Sequence, residues 1–442
     1  MKRLQIQQQL TEFPREVFDH ADTLEILDLG NNQLSDLPDD FARLKKLKIL
    51  FLTNNHFTHI PAVLAQCPVL EMIAFKDNQL TEFAENSIPE HTRWLILTGN
   101  QLTKLPDSMG KLYRLQKLAL AGNQLTALPD SMAACHQLEL IRLSANRFQQ
   151  LPDWLFELPR LSWLAFAGNP FSSSVFTGIE HQSKTVPFVH LSDLELDEKL
   201  GEGASGTIYR GHWKQAHEHL GEPDIAVKLF KGNVTSDGYP QDELDCCLDA
   251  GHHPHIVKTI GEIKDPAIPA TPTAPEKPEQ LGIVMELIPA GYHNLGNPPD
   301  FDSCSRDTFA EGVAFSGGQI AKIISDFASA AHHLHQQGVS HGDLYAHNTL
   351  VNDQDEILLG DFGAASDCKT LPANQRNNME KIEVRALGCL LDDLLTLPAN
   401  QLNAQDNLVQ ILMSLRDQCC VEQLAQRPGF ASIQQFIRPL ID

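Results

Sequence analysis

The run His341-Gly342-Asp343-Leu344-Tyr345-Ala346-His347-Asn348 sets a carboxylate and, five residues on, an amide in one short stretch. A carboxylate beside a hydroxyl can take its proton, and an amide can hold a metal ion. That division of labour suits moving a phosphoryl group from a nucleotide to an alcohol. Surface loops often carry such residues singly, so the weight of the reading rests on what precedes and follows. Upstream, Gly201, Gly203 and Gly206 fall within Leu200–Gly211. Glycines at this spacing between two strands let backbone amides approach phosphates without side-chain obstruction. Ile225-Ala226-Val227-Lys228 then reads as a short apolar strand carrying a lysine. A lysine buried there wants an anionic partner, which nucleotide phosphates supply, with a helix carboxylate beyond them.

With Gly360-Asp361-Phe362-Gly363, these motifs stand in the order found in the eukaryotic-type protein kinases, and residues 193–442 resemble that family. The resemblance implies that Lys228 holds the nucleotide's alpha and beta phosphates, that Asp343 is the catalytic base, and that Asn348 and Asp361 bind Mg2+. Gly201, Gly203, Gly206, Ile208 and Ala226 would line the ATP site. Met285 would gate the adenine pocket, and the backbone from Glu286 to Ile288 would read the base. Among the acidic residues of 241–250, Glu243 fits best as the helix carboxylate and Asp245 is the reserve, because His253-Pro254-His255-Ile256-Val257 resembles the turn that follows this helix in the family.

Several positions depart from the pattern. Gly342 stands where many kinases have an arginine, and Tyr345 where serine/threonine kinases have a lysine. Glu383 follows Asp361 by only 22 positions, with no Ala-Pro-Glu, so Arg427 lacks its usual glutamate, a place that Glu380 or Glu383 could take. The favoured reading is an ATP-dependent protein kinase, of serine/threonine type. Two alternatives stay open: a small-molecule phosphotransferase of the aminoglycoside or choline kinase type, which the His-Gly-Asp-Leu loop also resembles, and a non-catalytic kinase-like scaffold.

The elements that must position these residues begin with a repeat. Asn32, Asn55, Asn78, Asn100, Asn123, Asn146 and Asn169 recur at steps of 23 residues, with one step of 22, each in the frame Leu24-x-x-Leu27-x-Leu29-x-x-Asn32-x-Leu34. This resembles the leucine-rich repeat over residues 1–171. Alternation at Leu27 and Leu29 builds a short strand with inward leucines, and the asparagine can bond backbone groups left unpaired at the turn. Leu-Pro landmarks such as Leu105-Pro106 precede a helical return, and Phe13-Pro14 reads as the tail of a degenerate first coil. The expected architecture is an α/β leucine-rich-repeat solenoid (1–171), a linker and cap (172–192), and an α+β two-lobed protein kinase-like domain (193–442). Bacterial leucine-rich-repeat kinases have a similar arrangement.

The position before the first inward leucine of each strand faces the concave side: Ile26, Ile49, Met72, Trp94, Lys117, Leu140 and Trp163. Six of these seven are large and apolar. Such a column predicts a protein partner at Trp94, Trp163, Ile49, Met72 and Leu140, the other reading being a face covered by the chain's own second domain. Pro266, Pro269, Pro272, Pro275 and Pro278 recur every third residue, the period of a polyproline II rod, either as a ligand for a proline-binding groove or as a stiff loop.

A net charge of -23 disfavours nucleic acid and anionic membrane surfaces as partners. Nine cysteines without Cys-x-x-Cys spacing read as reduced thiols. Neither a secretion signal nor a membrane span is expected, which places the protein in the cytoplasm.

Overall fold

The computed structural model describes residues 1–172, 186–203, 205–214, 224–231, 238–265 and 280–441. The proline-periodic segment 266–278 lies outside them. In the first part, eight three-residue strands form one parallel sheet in chain order: β1 (Arg3–Gln5), β2 (Ile26–Asp28), β3 (Ile49–Phe51), β4 (Met72–Ala74), β5 (Trp94–Ile96), β6 (Lys117–Ala119), β7 (Leu140–Arg142) and β8 (Trp163–Ala165). Ile26, Ile49, Met72, Trp94, Lys117, Leu140 and Trp163 pair in register, so the concave column of the sequence is a physical row. The degenerate first coil contributes a strand of its own, β1, paired with β2.

Each coil closes through its asparagine. Asn123 Nδ2 donates to the carbonyls of Leu97 and Leu120, and its Oδ1 accepts from Leu102 N at 3.1 Å. The amide thus satisfies backbone groups of two successive turns at once. The returns are 3-10 turns entered from proline, as at Asp107–Lys111 after Pro106, because a 23-residue coil leaves too few residues for a longer helix.

The second part opens with β9 (Phe188–Val189), which pairs with Glu262 and Ile263. β10 (Leu194–Glu202), β11 (Gly206–Trp213), β12 (Asp224–Phe230), β13 (Thr259–Asp265) and β14 (Gln280–Glu286) complete a six-stranded sheet in the order β10-β11-β12-β14-β13-β9. Helix α1 (Pro240–Ala250) packs beside it. The lower part is helical, with α2 (Gly317–Gln336), α3 (Ala373–Thr396), α4 (Asn407–Cys420) and α5 (Phe430–Ile437). Ser316 and Gln319 form a capping box that fixes the start of α2. Short hairpins made of β15 (His293–Asn294), β16 (Val339–Ser340), β17 (Thr349–Val351), β18 (Ile357–Leu359) and β19 (Ser366–Asp367) frame the loop 341–348.

The two parts share their cores. Cys368, Leu371, Met379, Ile382 and Leu424 join the solenoid's apolar cluster, while Leu140 and Trp163 join that of the helical lobe. The expectation that Leu140 and Trp163 await a separate partner is therefore corrected: they are 2% and 1% exposed, covered by the chain's own second domain, and Met72 and Ile49 are themselves only 5% and 9% exposed. A solvated row is seldom that apolar, and at Leu140 and Trp163 it is not solvated. None of the described helices is long and apolar enough to cross a membrane.

Candidate functional site

Strand register brings the upper half of the site together. Ile208 lies opposite Lys228, and Ala226 opposite Met285, across the β11-β12 and β12-β14 pairings. The Lys228 ammonium meets Glu243 on α1 rather than Asp245, whose carboxylate accepts from Gln241 at 2.8 Å. Asp361 Oδ1 lies 3.9 Å from the same ammonium. Burial would strip the proton from Lys228, but the charges of Glu243 and Asp361 hold its pKa above the ordinary lysine value. A permanent cation facing one buried and one largely exposed carboxylate is therefore built into the cleft.

The glycines have different reasons. A Cβ at Gly206 would come within 2.6 Å of the Leu229 carbonyl, so packing alone demands glycine there. At Gly201 and Gly203 a Cβ would meet nothing within 4 Å, so packing makes no such demand there. Glu286 pairs with Lys258 at 2.5 Å at the end of β14, before Ile288.

In the lower half, Asp343 is held from two sides. Asn348 Nδ2 donates to Asp343 Oδ2 at 3.0 Å and to the Asp343 carbonyl at 3.1 Å. From the solenoid, Arg142 Nη2 donates to Asp343 Oδ1 at 2.5 Å and its Nη1 to the Gly342 carbonyl at 2.9 Å. Burial works to raise the Asp343 pKa, but the Arg142 charge, with His347 and His341, outweighs it and keeps the carboxyl below its ordinary range. Asn348 spends only its NH2 group on Asp343, which leaves the amide oxygen for another role. That oxygen and the Asp361 carboxylate are hard donors of the kind that Mg2+ takes beside phosphate oxygens, so the donor set fits the ion. Among the described residues no group of three or more His, Cys, Asp or Glu could hold a metal by itself.

The loop is pinned by residues that carry no motif. Asp307 accepts from Ala346 N at 2.5 Å and contacts His347 Nδ1 at 2.6 Å. Glu383 accepts from Gly342 N at 2.6 Å and meets His335 at 2.7 Å, so it does not serve Arg427. Glu380 accepts from Phe430 N instead. Arg427 donates to the carbonyls of Val421, Lys381 and Pro159, the last in the solenoid, and burial pulls its pKa down to about 10. His341 Nε2 reaches the Gly360 carbonyl at 2.9 Å, tying the loop to Asp361.

Sequence reasoning missed Arg142. It follows the inward leucine-type position of β7, in a second concave row made of Asp28, Phe51, Ala74, Ile96, Ala119, Arg142 and Ala165. A lone buried arginine in that mostly apolar row was the available signal.

Comparisons with known proteins agree with this division. Residues 194–396 match the family of protein tyrosine and serine/threonine kinases, and residues 3–57, 22–80, 90–148 and 114–171 match the leucine rich repeat. The chain thus carries leucine-rich repeats followed by a protein kinase domain. It is 26% identical to Aurora/IPL1-related protein kinase 2 of Caenorhabditis elegans over 54% of this chain and 66% of that protein. It is 34% identical to the probable serine/threonine-protein kinase drkD of Dictyostelium discoideum over 40% of this chain and 12% of that one. It is 27% identical to fibroblast growth factor receptor 2 of Dugesia japonica over 47% of this chain and 23% of that one. The chain spans less than two thirds of the length of each of these relatives.

Proposed function

We propose that this chain is an ATP-dependent protein kinase of serine/threonine type that transfers the gamma-phosphate to a protein hydroxyl. The observation that carries this reading is the assembled set: Lys228 on Glu243 with Asp361 beside it, and Asp343 tied to Asn348. In this reading Lys228 binds and orients the alpha and beta phosphates. Gly201, Gly203 and Gly206 give backbone room above them, and Ile208, Ala226, Met285 and the backbone from Glu286 to Ile288 enclose the base. Asp343 accepts the proton of the acceptor hydroxyl. Asn348 and Asp361 would hold Mg2+, which when bound neutralises charge on the transferring phosphate.

A protein partner would enter a cavity of about 190 Å³ lined by Lys48, Ile49, Glu71, Met72, Arg93 and Trp94 of the concave face and by Phe301, Asp302 and Cys304 of the second domain. We propose a cytoplasmic location on the nine free thiols, and the bacterial type of repeat-kinase fusion on the domain arrangement. A second reading, transfer to a small molecule, is favoured by one feature. The segment from Asp361 is short, and the solenoid packs on it, Phe166 N donating to Ser366 Oγ at 3.0 Å.

The test is incubation of the full chain with magnesium and labelled ATP, with and without a protein substrate panel, beside Asp343→Asn. Label on protein that disappears in the variant supports the first reading. Label on small metabolites alone supports the second, and no ATP binding overturns both.

A further inference from the structure

Within 341–348 the loop itself carries no lysine or arginine, since Gly342 and Tyr345 occupy the places that kinases give to cations. The guanidinium beside Asp343 comes instead from the repeat domain. Arg142 ends β7 with its side chain buried, and it binds both the Asp343 carboxylate and the Gly342 carbonyl. One strand on, Trp163 donates to the Leu344 carbonyl at 3.0 Å and stacks on the Tyr345 ring at 4.3 Å and 8°. Two neighbouring strands of the solenoid therefore grip four consecutive residues of the loop.

We propose that Arg142 is a positioning residue for Asp343, so that the phosphotransfer site is completed by the leucine-rich repeats and is not contained in the kinase domain. The inference rests on Asp343 being the base, as proposed above. Arg142 holds Oδ1 and Asn348 holds Oδ2, which stops rotation of the carboxylate while 23% of the side chain stays open to an acceptor. A carboxylate buried to that extent would be costly to keep ionised without a paired cation.

Two observations separate this role from a removable inhibitory clamp. The Lys228–Glu243 contact is already made while the solenoid is docked. The surfaces that would part are shared cores, with Leu140 and Trp163 buried on one side and Leu371, Met379 and Ile382 on the other. Lifting the solenoid would expose all of them to water.

The experiment measures initial rates of transfer from labelled magnesium ATP to casein by the full chain, comparing wild type, Arg142→Lys, Arg142→Ala and Asp343→Asn. Arg142→Ala is expected to lower kcat by about 10²-fold with the KM for ATP within about twofold, since a displaced base costs chemistry and not nucleotide binding. Arg142→Lys should retain an intermediate rate, and millimolar guanidinium should restore part of the alanine variant's rate. Thermal melts run on the same samples show which variants are folded. An unchanged or raised kcat in a folded Arg142→Ala overturns the proposal, the raised rate marking a clamp. A loss that tracks the folded fraction, with no lysine retention and no guanidinium rescue, also overturns it. Wild-type chain that transfers no label defeats the kinase reading itself, and the positioning role with it.

Discussion

Gly342 shows how one residue can report a whole interface. Its backbone sits at φ +71°, and a Cβ there would come within 2.4 Å of the Ala364 carbonyl and 3.0 Å of the Leu164 carbonyl on the solenoid. Restoring the arginine that related kinases carry is therefore predicted to harm this chain. Gly342→Arg should lower stability by more than the ~1–2 kcal/mol of a left-handed side-chain residue, because it also wedges β8 off the loop. Chemical denaturation checks this, and an unchanged midpoint would mean that loop and strand can separate there. Glu243 offers a second case. Glu243→Ala leaves the buried Lys228 ammonium facing only Asp361 at 3.9 Å, which should cost about 3 kcal/mol and weaken phosphate orientation. ATP titration by calorimetry together with a melt would expose the error if neither moved. Lys228, Glu243, Asp343, Asn348 and Asp361 were readable because motif order survives in one dimension. Arg142 and Asp307 were not, for their relation to the loop exists only after the chain has folded back on itself.

At the scale of elements, the solenoid was legible because its coils are local: each asparagine bonds backbone within its own turn and the one before. Asn123→Ala removes three such bonds; the Leu97 and Leu120 carbonyls keep Asn100 and Asn146 as donors, but the buried Leu102 N–H loses its partner, a predicted loss of about 1–3 kcal/mol. Urea unfolding would contradict this if the variant kept its midpoint. Phe188 and Val189 have no pattern of their own and are strand only by pairing with β13. The turn after α1 carries a titration of its own. Burial, followed by the charges of His333, His255 and His252, pushes His253 down to about 4, and its ring stacks on His333 at 5.0 Å. An unfolded histidine titrates near ~6.5. Between those values the unfolded chain binds the extra proton, so this site's contribution is intact above about 6.5 and is lost as pH falls toward 4. The melting temperature of wild type should therefore fall more steeply from pH 7 to pH 4.5 than that of His253→Asn, and parallel curves would remove His253 as a cause.

At the scale of the molecule, the apolar concave row has two fates. Its carboxy-terminal members are core: Leu140 and Trp163 lie under the helical lobe, and Gln375, Arg385 and Arg427 bond the solenoid carbonyls of Leu151, Arg160 and Pro159. Sequence periodicity fixed which residues face the hollow, but no local pattern could say that the chain's own second half fills it. Farther along, Arg93 donates to the Phe301 and Asp302 carbonyls, and Phe301 packs against Phe51 and Trp94, so the second domain reaches the middle of the row as well. The two domains should then unfold together. Trp163→Ala is expected to cost about 3–5 kcal/mol by opening a cavity in the helical lobe's core and dropping the bond to Leu344. Calorimetry on the full chain should show one transition that moves down as a unit in the variant. A fragment of residues 186–442 should bind a hydrophobic dye that the full chain does not, because Leu371, Met379, Ile382 and Leu424 lose the solenoid cover they have in the intact molecule. Two separate transitions in wild type, or a fragment that melts like the intact domain without binding dye, would show the halves to be independent bodies, and Arg142 would then be a neighbour of the site and not part of it.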